Sequence, residues 1–390
     1  MDVDGTATHL DELGMETWTD LVRRRLDDDR AEVLEHHQEP IFIGVGTGTQ
    51  LYRVAGSARV GARAPRAWSL VIKVFTTDHF DFQSVSEEPS AWDYWKREWL
   101  AYQAPWFAEL SGPLVPPRCL GAGEIRGGAE PVAWVALDDL GDVPHQWPLA
   151  DFGEVAHALG TFGGRYLTVA APPSDPWLSD HWLVGWTELA RETIGVLPAA
   201  AQHPDAGRIY PSEVGTTFTG LWENRQTVYA ALDELPTTFT HNDVFPRNLR
   251  RVPAGAATRN VAFDWAFCGT APLGAELAPL VGATMAFLGS PPGEWDDLEQ
   301  LCLAEYVRGL REEGWEGSPE EVRLGYAASL VLRYGVGPLA PILGLSMVPE
   351  NRDLVPLAFG CSFEEFVETG AAMTKYQCER LREVNATLGI

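Results

Sequence analysis

The stretch Thr238–Val252, TFTHNDVFPRNLRRV, governs how the rest of the chain is read. It sets His241, Asp243 and Asn248 at H-x-D-x-x-x-x-N spacing, flanked by short strand-like runs near 239–241 and 248–252. Side chains of these types are costly to bury and form poor strands, so chemistry explains them better than packing. Asp243 can orient a hydroxyl and accept its proton. Asn248 offers a carbonyl oxygen, and Pro246 restricts the turn between the two. Downstream, VAFDWAF places Asp264 at the end of a short apolar run. Asp264 follows Asn248 by 16 residues, enough chain for a hairpin that brings it back beside Asp243 and Asn248. Two carboxylates and an amide around one point call for a cation, and hard oxygen donors suit Mg²⁺.

Upstream, Lys73 lies inside the apolar strand SLVIKVF, and Glu98 follows in WKREWLAYQ. A lysine among β-branched neighbours is seldom buried without a partner. It either lies on a solvent face or pairs with Glu98 and reaches a phosphate. PIFIGVGTGTQLYRVAG breaks into Gly44, Gly46 and Gly48 before resuming at Thr49. Glycines let backbone N–H groups approach phosphate oxygens. By itself, the turn reads as an ordinary hairpin. It is no Walker A loop and no dinucleotide fingerprint, because neither G-K-[ST] nor a helix follows.

The periodicity predicts a helix over 17–38, with His36 and His37 at its solvated end, and another over 90–110. Between these lie strands, and a hairpin of RCLGAGEIRGG with PVAWVALDD runs into an acidic crossover at 138–142. Helices are then predicted over 151–162, 180–196, 212–234, 273–288, 295–313, 319–336, 341–346 and 362–387. The expected class is α+β: a helical extension (1–38), a β-rich N-lobe (39–137), the crossover, and a helical C-lobe (143–390), with a ligand cleft between lobes. Trp182 and Trp186, at i,i+4, read as core. Glu276, starting the helix after the Asp264 strand, is a candidate to face a substrate.

Apolar residues are 45% of the 390, which supports a substantial core, and the formal charge is −26. That charge repels nucleic acid and anionic membrane; it is compatible with a cationic ligand, and a plain solubility adaptation explains it equally well. Five scattered cysteines lack C-x-x-C spacing, so no zinc or disulfide framework is expected. The acidic start lacks the pattern of a signal peptide, and LAPLVGATMAFLG is too short to span a bilayer. A cytoplasmic setting with no membrane partner is expected.

In order and spacing, these motifs resemble the kinase-like phosphotransferases, in the aminoglycoside phosphotransferase and choline kinase branch, from about Ile41 to Leu280. The resemblance implies a bilobal protein-kinase-like fold and MgATP-dependent transfer of a γ-phosphoryl group to a hydroxyl. It implies that Asp243 is the base, that His241 braces the catalytic turn, and that Asn248 and Asp264 hold Mg²⁺. Lys73, paired with Glu98, touches the α/β-phosphates, and the 44–49 turn covers them. Ala136 to Asp139, including Asp138, face adenine through backbone groups. Asn242 stands where the branch has Gly, Phe245 where protein kinases have Lys, and WAF follows Asp264 without a D-F-G glycine. An ordinary protein kinase is therefore disfavoured. The expected acceptor is a small-molecule hydroxyl, aminated and cationic ones included. A precursor peptide handled with a lyase partner, and a non-catalytic nucleotide-binding scaffold, stay open.

Overall fold

A computed structural model of the chain describes residues 9–41, 49–62, 64–77, 85–125, 132–142, 146–255 and 257–390. The chain forms two compact units. The first comprises Met1–Glu88, Asp93–Leu110 and Pro116–Asp142; the second comprises Pro89–Trp92, Ser111–Val115 and Val143–Ile390.

In the first unit, β1 (Ala31–Pro40), β2 (Thr49–Val60) and β3 (Arg66–Phe75) precede a two-residue strand, β4 (Leu114–Val115), that belongs to the second unit. β5 (Cys119–Ile125) and β6 (Val132–Asp138) complete an antiparallel sheet of order β1-β2-β3-β6-β5. Alternation along β3 directs Trp68, Leu70, Ile72 and Val74 into a core shared with Trp18, Leu21 and Val22 of the helix Met15–Leu26. Lys73 therefore lies on the opposite face, level with Leu51 on β2 and Val135 on β6.

Two predicted helices in this unit are corrected. The 17–38 helix stops at Leu26, because Asp27 turns left-handed (φ 51°) and its N–H caps Arg23 and Arg24. From Ala31 the chain is a strand paired to β2, with Val33 half-buried and Leu34 exposed. Helical counting cannot distinguish this from a helix, since the ladder partner lies on another segment. His36 packs beside the Trp18 ring at 5.0 Å while His37 is exposed. The 90–110 segment forms only the short helices Arg97–Ala101 and Pro105–Ala108. Its tryptophans serve separate neighbourhoods: Trp92 packs on Trp186 and Phe267 in the second unit.

The second unit pairs β7 (Thr237–Thr240) with β10 (Gly269–Pro272) and sets β8 (Leu249–Ala254) against β9 (Ala257–Ala262), which also takes β4 in parallel. Helices make up most of the remainder. Leu149–Thr168 and Trp295–Glu312 touch through glycines: a Cβ on Gly160 would stand 2.1 Å from the Tyr306 carbonyl oxygen, and one on Gly309 2.3 Å from that of His157. Ser318 with Glu321, and Ser362 with Glu365, form capping boxes that start Pro319–Leu330 and Phe363–Leu388. All five cysteines are free thiols. Among the described residues, one helical stretch, Pro319–Met347, is long and apolar enough to cross a membrane. It is mostly buried within the unit and carries the buried Arg333, as a core helix does.

Candidate active site

In the second unit, β7 delivers the chain to His241, which is fully buried. Its Nδ1 accepts the Asp243 N–H at 3.1 Å and its Nε2 lies 3.1 Å from the Phe263 carbonyl oxygen. Those partners put the ring proton on Nε2, and the ring packs on Trp265 at 4.4 Å. Both ring nitrogens are thus committed to backbone groups of the turn and the returning hairpin. Asn242 then adopts φ +65°, a conformation asparagine tolerates better than most residues. Its N–H donates to Thr240 Oγ1 (3.2 Å) and its Nδ2 to the Phe267 carbonyl (2.9 Å).

This turn presents Asp243, and the tight turn Pro246–Asn248 brings Asn248 back to it. Asn248 Nδ2 donates to Asp243 Oδ2 at 2.8 Å and to the Asp243 carbonyl at 3.0 Å. The other carboxylate oxygen, Oδ1, accepts from Arg333. The β8–β9 hairpin returns to Asp264, and the Phe263 N–H closes it on the Asn248 carbonyl at 3.0 Å. Asp264 sits at φ +67°, half-buried. Burial pushes the Asp243 carboxyl up to about 7; Arg333 opposes that rise, the negative charge of Asp264 adds to it, and Asn248 opposes it.

In the first unit, Lys73 is 5% exposed and forms an ion pair with Glu98, which is 1% exposed. The solvent-face alternative for Lys73 is thereby excluded. Thr49 opens β2 opposite Phe75. Asp138 ends β6 with its carboxylate 3.8 Å from Arg25 and its N–H bonded to the Arg118 carbonyl at 3.1 Å. Ala136 is paired on both sides, to Ile72 and Gly121, within the sheet. Gly44, Gly46 and Gly48 lie outside the described residues.

Compared by sequence, the chain matches no family model and no curated protein. Compared by structure, it is similar to choline kinase from Cryptosporidium parvum, at 14% identity over 90% of each chain and a TM-score of 0.50. A microcompartment-associated aminopropanol kinase is 14% identical over 90% of this chain and 94% of its own, with a TM-score of 0.49. An aminoglycoside phosphotransferase from Alicyclobacillus acidocaldarius is 13% identical over 92% of each chain, at 0.49. The chain has the choline kinase fold. The expected class, α+β with a β-rich N-terminal part and a mainly helical C-terminal part, is the one observed.

Within this choline kinase fold, two residues depart from the sequence reading. Glu276 does not face a substrate. It is 2% exposed, and its Oε2 accepts the Thr240 hydroxyl at 2.7 Å from beneath the turn. Burial pushes its carboxyl up to about 7, against the Thr240 bond. The raised folded-state value means that the unfolded chain loses this proton first. Stability should fall as pH rises from about 4.5 to about 7 and remain lower above that. Glu276→Gln, which stays neutral, is expected to melt higher than the parent at pH 8 and near it at pH 5. The gap is on the order of 3 kcal/mol. Equal melting differences at both pH values would refute the buried-acid account.

Arg333 is the residue that sequence reading missed. It interrupts the apolar run SLVLRYGV, and an arginine there cannot be buried alone. The same reasoning that singled out Lys73 could have found it, although not its partner.

Proposed function

We propose that the chain is an ATP-dependent O-phosphotransferase that moves the γ-phosphoryl group to a hydroxyl of a small molecule. The observation that carries this reading is the Asp243–Asn248 pair on a left-handed turn, with Asp264 near enough to raise the proton affinity of Asp243. A carboxylate fixed beside the turn can orient an acceptor hydroxyl and take its proton. Oxygens already accepting one bond each retain a lone pair for that hydroxyl.

As the acceptor oxygen attacks the γ-phosphorus, its proton passes to Asp243, the bond to the β,γ-bridging oxygen breaks, and ADP leaves. The transition state is loose, so positioning and charge neutralisation account for most of the rate. In this reading Lys73, paired with Glu98, supplies positive charge to the α/β-phosphates. His241 keeps the turn in shape. The donor set fits a hard divalent cation: Asn248 commits its Nδ2 to Asp243, which leaves Oδ1 as the ligand atom, and Asp264 adds a carboxylate. Bound there, Mg²⁺ would neutralise charge on the phosphate oxygens.

The acceptor class we infer is an aminated alcohol or amino sugar. The fold shared with a protein named choline kinase supports it, and the formal charge of −26 is compatible with it. ADP release from MgATP, measured against choline, ethanolamine, aminopropanol and hygromycin B and against Ser/Thr peptides, tests both parts. Turnover with peptides alone would replace the small-molecule reading. Absence of any MgATP-dependent rise in melting temperature would overturn the phosphotransferase reading itself.

A further inference from the structure

Arg333 lies in a π-helical turn, Val331–Val336, that interrupts the Pro319–Met347 stretch. Such single-turn irregularities concentrate at functional sites. The side chain is buried, and polar and aromatic contacts fix its guanidinium, the Tyr334 ring among them at 5.3 Å. Nη1 donates to the carbonyl oxygen of Asn242, Nη2 donates to Asp243 Oδ1, and the group sits over the Trp182 ring at 4.4 Å. Trp182 stacks on Phe267, whose carbonyl holds Asn242 Nδ2. Trp186 Nε1 donates to the carbonyl oxygen of Arg333 itself at 2.8 Å. The aromatic pair that sequence periodicity assigned to plain core thus supports the arginine on both its side-chain and backbone sides.

A buried ion pair adds little net stability over an apolar substitute, so stability alone does not account for this arrangement. The geometry does more than pair charges. One planar fork spans a backbone carbonyl at the strained position and one oxygen of the adjacent carboxylate, which sets the angle of that carboxylate relative to its own backbone. A lysine, with a point charge on a flexible stem, cannot reproduce it.

We propose that Arg333 is a positioning residue for phosphoryl transfer, holding the Asn242 carbonyl and Asp243 Oδ1 so that the remaining lone pairs of Asp243 face the acceptor hydroxyl. This rests on the reading of Asp243 as the base. The groups around Asp243 are Asn248 and Asp264 from the two ends of the β8–β9 hairpin, His241 from its own turn, and Arg333 and Tyr334 from the π-turn.

The test measures kcat, KM for MgATP and melting temperature for Arg333→Met, Arg333→Lys, Asp243→Asn and the Arg333→Met/Asp243→Asn double variant. ADP release is followed with the best acceptor among those named above, or with water as acceptor if none turns over. Arg333→Met is expected to lower kcat ~10²-fold, the cost of a slightly misplaced reacting group. KM for MgATP should stay within about threefold, as for an interaction made only in the transition state. Arg333→Lys should recover about tenfold of that loss through its retained charge. In the Asp243→Asn background, removing Arg333 should cost nothing further, because the two act as a unit. Arg333→Met turnover within about threefold of the parent would overturn the proposal, as would full additivity in the double variant. If Arg333→Met does not fold, Arg333→Lys carries the test, and parental turnover in that variant would overturn the proposal equally. Parental turnover in Asp243→Asn would instead remove the base reading, and this proposal with it.

Discussion

Asp243→Asn is expected to lower turnover by ~10²–10⁴-fold, the usual contribution of a positioned proton acceptor, while MgATP still raises the melting temperature. The side chain keeps its shape, so the turn around it persists. What changes is that an amide cannot take a proton from the attacking hydroxyl. A smaller structural cost accompanies this. Asp243 receives two donors, Arg333 Nη2 on Oδ1 and Asn248 Nδ2 on Oδ2. Asparagine offers one acceptor oxygen, so one of these donors meets an NH₂ group. That mismatch should cost about 1–3 kcal/mol, readable in a thermal melt. ADP release within tenfold of the parent would remove Asp243 from its role.

Lys73→Met is expected to lose both stability and nucleotide affinity, and a second substitution separates the two losses. Removing the ammonium leaves the Glu98 carboxylate, 1% exposed, in the interior without that counter-charge. Breaking a buried pair in this way costs about 3–5 kcal/mol. Lys73→Met/Glu98→Leu replaces both members with apolar groups and should recover most of that stability. It should not recover MgATP affinity, since Lys73 is the member assigned to the phosphates. Melting curves and MgATP titrations of the single and double variants provide the check. A double variant that binds MgATP like the parent would show that Lys73 holds Glu98 and nothing else.

The part of the site legible in the sequence is the part whose members lie on one short stretch or one hairpin. Asp243 and Asn248 meet because a proline-bearing turn of five residues leaves them few alternatives. Asp264 returns because an antiparallel pair registers Leu249 with Ala262. For Lys73 the sequence showed only the need, since a charge inside an apolar strand demands a partner; which of the acids downstream supplies it was settled by the ion pair with Glu98. Boundaries were less legible. The segment 31–40 carries apolar residues at spacings a helix also tolerates, and only the ladder with β2 makes it a strand.

By itself, the sequence determined the class of the fold, the strand–turn–hairpin that carries Asp243, Asn248 and Asp264, and the need of Lys73 for an acidic partner. In each case the constraint is local, either backbone geometry over a few residues or the cost of a lone buried charge. Tertiary structure alone decided that Glu276 lies beneath the turn and that Arg333 grips it from a π-helical turn far along the chain. No spacing or period records such contacts, because they arise when separately folded helices pack and bury side chains whose partners lie on other segments.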